Sequence, residues 1–133
     1  MKRKPRQIIV NVEGQEEHFL LSTYVSRVFS RNVGSKNPDE AAIAYGANPL
    51  ETVISMAQIA YNEHPENQGN KLDDQDICFL IDAMELEDCE YEGEIVSKWE
   101  MLQKEIFKAS FPKPRRILDP NANGELTKET APQ

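Results

Sequence analysis

A chain of 133 residues with 39% hydrophobic and 29% charged residues has the composition of a soluble globular protein, and enough length for one core that needs neither disulfide nor metal staples. A formal net charge of −8 works against general nucleic-acid binding, which requires a basic face toward the phosphates. After the basic stretch Met1-Lys2-Arg3-Lys4-Pro5-Arg6 only Ile8, Ile9 and Val10 precede Asn11, so neither a signal-sequence core nor a membrane span is expected.

Gln7 to Val12 is rich in β-branched residues and Glu13-Gly14-Gln15-Glu16 supplies turn chemistry. With the apolar return over Glu17 to Leu21, this predicts a β-hairpin. Ser22 and Thr23 can cap a helix carrying Tyr24, Val25, Val28 and Phe29, and Gly34 suits the position after its end. Asn37-Pro38-Asp39-Glu40 combines a cap, a proline at the first helical position and first-turn acids, which predicts a short helix over 38–45 stopped by Gly46. Asn48-Pro49 repeats that start.

Leu50, Val53, Ile54, Ala57, Ala60 and Tyr61 recur at helical spacing, as do Ile77, Leu80, Ile81 and Met84 after a cap at Asp73 or Asp76. The two segments predict a helical hairpin across a polar turn from His64-Pro65 to Asn70. Leu50, Val53, Ile54, Ala57, Ile77, Leu80 and Ile81 are expected to form its shared core. Met56 and Ile59 lie off the main stripe of helix 49–62, which suggests a central helix with two apolar faces. A last helix is predicted over 93–110, because Ile95, Trp99, Leu102, Ile106 and Ala109 keep one stripe. Four of the eight prolines fall at 112, 114, 120 and 132. The expected organisation is therefore a basic arm over 1–6, one mainly α domain over 7–110 with a short N-terminal β-hairpin and a bundle of about five helices, and a flexible proline-rich tail over 111–133.

Charge is distributed unevenly. Four cations crowd the first six positions, while Asp82, Glu85, Glu87, Asp88, Glu90, Glu92 and Glu94 crowd thirteen positions with no Lys or Arg. That run is expected as a solvated interhelical loop; the sharper alternative is a docking surface for a basic partner or a neighbouring copy's N-terminus. Cys78 and Cys89 are too far apart for a CxxC pair or a zinc knuckle, which fits a reducing compartment.

No catalytic, cofactor or metal site is expected. His18 in a strand and His64 before a proline are expected at the surface. Ser22, Ser26 and Ser30 lack a nucleophile-elbow setting. Asp119-x-Asn121-x-Asn123-Gly124 imitates the start of a calcium loop, yet Thr130 occupies the position that demands a bidentate glutamate. The chain is expected not to be an enzyme.

The order of hairpin, helix, Asn48-Pro49-Leu50-Glu51 with Ala57-x-x-Ala60-Tyr61, polar loop, and Leu72-Asp73-Asp74-Gln75-Asp76-Ile77 leading to Leu80-Ile81-Asp82 resembles the tail assembly chaperones of long-tailed bacteriophages and prophages. The resemblance covers about residues 7–108; Asp73 stands where that family usually has Thr, and helix 38–45 is an added element. It implies a non-enzymatic protein of the bacterial host cytoplasm, absent from the finished virion. Such a protein binds the tape measure protein, keeps it soluble and helps recruit tail tube protein, and several members self-associate. Surplus apolar positions, Met56, Ile59, Phe79 and Trp99, are the expected partner contacts. The alternative is a small DNA-binding regulator or antitoxin-like protein using Lys2, Arg3, Lys4 and Arg6, although helix 49–62 holds neither Lys nor Arg.

Overall fold

The structure, a computed structural model, describes residues 3–33 and 40–111. The expected cap at Gly34, the Asn37-Pro38-Asp39 helix start, the calcium-like sequence and the tail from 112 lie outside the described residues.

Two strands open the fold, β1 (Arg6–Val12) and β2 (Gln15–Leu21), paired antiparallel so that Val12 faces Gln15 and Ile8 faces Phe19. Glu13 and Gly14 both adopt positive φ, 52° and 83°. This backbone is a type I′ turn, whose twist matches that of the strands it joins. Period-two burial follows: Val10 and Val12 face the core while Ile9 and Asn11 face out.

Helix α1 (Thr23–Asn32) starts where the Ser22 side chain accepts the Tyr24 amide proton. Helix α2 (Glu40–Ala47) leads through Asn48 into α3 (Pro49–Asn62), with the expected Asn48 cap and Pro49 at the first position. Helix α4 (Asp74–Glu85) is capped by Asp73, and Asp74 and Asp76 in its first turn match the helix dipole. Helix α3 packs against α1, α2, α4 and β2, the central position expected from its two apolar faces.

The last quarter departs from expectation. Residues 88–97 form a second hairpin, β3 (Asp88–Tyr91) and β4 (Glu94–Ser97), and the final helix, α5 (Lys98–Ser110), begins only there, capped by Ser97. Glu92 and Gly93 repeat the first turn with φ of 51° and 82°. The acidic run is therefore not an interhelical loop. Ile95 leaves the helical stripe and is exposed, while Trp99, Leu102, Ile106 and Ala109 keep it and are buried. Among the described residues the fold holds five α-helices and two separate two-stranded sheets, so the β content exceeds the single hairpin expected. No helix among them is long and apolar enough to cross a membrane.

One core joins the first hairpin to α1, α3, α4 and α5, centred on Phe19, Val25, Met56, Ala57, Ile77, Met84, Trp99 and Leu102. Of the seven positions expected in the helical-hairpin core, Ala57, Ile77 and Ile81 are buried. Val53, Ile54 and Leu80 are only half-buried, and Leu50 is 65% exposed. The buried face of α3 is thus broader than the expected stripe: Ala57, Ala60 and Tyr61 of that stripe are buried together with Met56 and Ile59, while its first turns, with Leu50, Val53 and Ile54, are not.

Candidate interaction surface

Three of the four expected partner contacts lie inside the molecule. Met56 is 1% exposed, and Ile59 and Trp99 are buried as well. Only Phe79, on α4, projects into solvent. The physical reason is topological. Helix α3 is covered on several sides, so apolar residues outside its main stripe are consumed by further neighbours rather than left over for a partner.

The apolar surface that is left open lies elsewhere. A groove of about 320 Å³ runs between α2, α3 and α5, lined by Tyr45, Val53, Gln103 and Phe107, with Glu100, Lys104 and Lys108 at its rim. A crevice beneath it is lined by Val53, Met56, Gln103, Ile106 and Phe107, so Met56 sits under the groove and not on its surface. Two aromatic rings line it: those of Tyr45 and Phe107 are 4.9 Å apart, and Phe107 is backed by Phe111 at 4.8 Å. Tilted pairs at this separation hold the ring faces in fixed positions. Lys104 bonds Glu100 at 3.1 Å and Lys108 bonds Glu92 at 3.0 Å. The rim is therefore charged and self-neutralised around an apolar floor, a geometry suited to the apolar face of an amphipathic helix.

A second polar assembly ties the first hairpin to the α3–α4 turn. His64, expected at the surface, is 4% exposed. Its Nδ1 accepts the Glu66 amide proton at 3.0 Å, which leaves Nε2 as the donor to Gln7 Oε1 at 2.6 Å. His18 Nδ1 reaches the same oxygen at 3.2 Å, and the two imidazole rings are 5.3 Å apart. Burial, then the nearby His18, hold the His64 imidazole below its ordinary value, with Glu66 opposing. Asn67 donates to the carbonyls of His18 and Tyr61, and Asn62 makes reciprocal bonds with the Leu72 backbone. Tyr61 donates to Glu17 at 3.2 Å, and burial followed by that carboxylate pushes its hydroxyl up to about 12. These groups organise the turn, and each ring nitrogen of His64 is already committed to a structural bond.

A third assembly fixes the second hairpin. Glu87 accepts the Glu13 amide proton at 2.8 Å and the Lys98 ammonium at 2.7 Å, and Lys98 also donates to the Asn11 carbonyl at 2.5 Å. The Lys98 ammonium, then the Glu13 amide, hold the Glu87 carboxyl below the usual range. One member of the acidic run thus joins the two hairpins. Of the three serines on or before α1, Ser22 caps it, Ser26 donates to the Thr23 and Ser110 carbonyls, and Ser30 is buried. No group of three His, Cys, Asp or Glu side chains among the described residues is placed to hold a metal ion. No family model, curated protein or solved structure matches this chain.

Proposed function

We propose that this protein is a tail assembly chaperone of the long-tailed phage type, which binds the tape measure protein, keeps it soluble and helps recruit tail tube protein in the bacterial host cytoplasm. The observation that carries the proposal is the groove of Tyr45, Val53 and Phe107. It is open and apolar, with its charges at the rim. A tape measure protein is a long helical chain whose apolar stripes aggregate when uncovered. A groove of this shape covers such a stripe, the floor supplying affinity and the rim solubility. The resemblance of residues 7–108 to that family supplies the identity of the helix.

The regulator alternative gains no comparable support, since α3 presents neither Lys nor Arg to a DNA groove. The chaperone reading is tested by co-expression with the tape measure protein, followed by affinity capture of this chain. Retention of the tape measure protein and a larger soluble fraction are expected. Equal solubility with and without this chain, and no retention, would sink the proposal.

A further inference from the structure

A second cavity, of about 400 Å³, opens where the start of β1, the start of α1 and the last turns of α5 meet. Lys4, Arg6 and Lys108 line it together with one carboxylate, Glu105. That carboxylate is already engaged: the Tyr91 hydroxyl donates to it, and Lys108 bonds it at 3.2 Å. The Tyr91 hydroxyl, opposed by burial and helped by Lys108, holds the Glu105 carboxyl below its usual range. Neither Lys4 nor Arg6 forms an ion pair among the described residues. Arg6 has the parity of Val10 and Val12, the core-facing positions of β1, and its cross-strand partner Leu21 is buried. A cation is thus set on the inner face of the hairpin, where the apolar core gives way to the cavity.

The neighbouring helix end adds charge of the same sign. Ser22 and Thr23, at the start of α1, line the cavity, and α1 has no acidic residue in its first turn. Aligned amide dipoles leave partial positive charge there, so it shares the cavity with Lys4 and Arg6 uncompensated. Like charges held together in this way destabilise the free protein, and a bound anion relieves the repulsion. We propose that this cavity binds the dianionic phosphate group of a small phosphate monoester, held by Arg6, Lys4 and Lys108. A guanidinium offers two parallel N–H donors to phosphate oxygens, and the ammonium groups add point charge. Pro5, Leu21 and Ala109 supply an apolar wall for the organic part. The volume lies within the range of small-molecule pockets, about 300–1,000 Å³. The acidic surface elsewhere does not forbid the anion, because salt screens that field over about 8 Å at physiological ionic strength. The inference is independent of the chaperone reading, since Lys4 and Arg6 do not line the apolar groove.

Titration of the full chain with phenyl phosphate at pH 7.5, followed by amide chemical shifts, decides it. A phosphate monoester, with a second pKa of about 6, is a dianion there, whereas phenyl sulfate of similar shape is a monoanion. Saturable shifts of the Arg6, Thr23 and Lys108 amides are expected at millimolar phenyl phosphate, with phenyl sulfate bound at least about tenfold more weakly. The variant K4Q/R6Q should lose at least about tenfold in affinity. Its melting temperature without ligand should equal or exceed the parent's, because the repulsion is gone. R27Q/K71Q removes the same charge at exposed positions that do not line the cavity, and should bind like the parent. Absence of saturable shifts, equal affinity for the two esters, or equal affinity of K4Q/R6Q and the parent overturns the proposal. So does an equal loss in R27Q/K71Q, which would assign the effect to net charge. A phosphoserine peptide bound more than about tenfold tighter than phenyl phosphate also overturns it, because the cavity then reads a partner chain.

Discussion

His64 shows how one buried side chain sets a pH response. Its imidazole is held neutral by burial, with Nδ1 engaged by the Glu66 amide, while the unfolded chain protonates at the ordinary value of 6.5. The folded value is the lower of the two, so the unfolded state binds more protons between them and stability rises with pH in that window. The contribution is fully present above 6.5 and is lost as pH falls through the folded value. Thermal melts between pH 7.5 and 5.5 should show a falling midpoint in the parent and a flatter profile in His64→Asn; equal slopes would show that His64 does not control this limb. Glu13 makes a second point at this scale. It holds φ of 52°, a region that costs a side chain with a Cβ about 1 kcal/mol and that Asn tolerates best. Its bond to Glu87 uses only the backbone N–H. Glu13→Asn should therefore stabilise the protein by about 0.5–1 kcal/mol in urea titrations, and a loss of stability would mean that the side chain does work the geometry does not reveal.

Elements with strong local punctuation were legible in the sequence. Asn48-Pro49 placed the start of α3, Asp73 capped α4, and Gly14 turned the first hairpin, because in each case the residue itself satisfies or bends the local backbone. The second hairpin was equally marked, since Glu92-Gly93 repeats Glu13-Gly14 between short runs that pair. It was hidden by the helical spacing of Ile95 with Trp99, which is a coincidence of a strand residue lying four positions before a helical one. The orientation of α3 could not be read from its own periodicity. With apolar residues on most of its circumference, the buried face is chosen by the neighbours that cover it, and those are set by tertiary packing. Three of the four expected contact residues were misplaced for the same reason, because Met56, Ile59 and Trp99 look surplus in one helix and are core in the assembled molecule. Trp99→Ala should thus cost about 3–5 kcal/mol and Met56→Ala about 2–5 kcal/mol. Leu50→Ala, at an exposed position, should stay within about 0.5 kcal/mol. Denaturant unfolding of the three variants separates these assignments, and a severe loss at Leu50 would place that residue in the core after all.

At the scale of the whole molecule, the open groove lies over the core but keeps exposed residues such as Tyr45 at its surface, which makes the proposed binding function testable without unfolding the protein. A carboxylate at Met56 would have to be buried in the core without a partner and should abolish folding. Tyr45 is different. It lines the groove while remaining 38% exposed, so Tyr45→Glu can keep its charge in water in the free protein. When an apolar helix face closes over the groove, that charge must be desolvated, and the complex bears the cost although the free fold does not. Phe79→Glu supplies the control, since Phe79 is exposed on α4 and does not line the groove. In capture of the co-expressed tape measure protein, Tyr45→Glu should lower affinity by tenfold or more, about 1.4 kcal/mol, with a melting temperature close to the parent's. Phe79→Glu should bind like the parent. If Phe79→Glu lost the partner and Tyr45→Glu kept it, the contact would lie on α4 and the groove between α2, α3 and α5 would not be the binding surface.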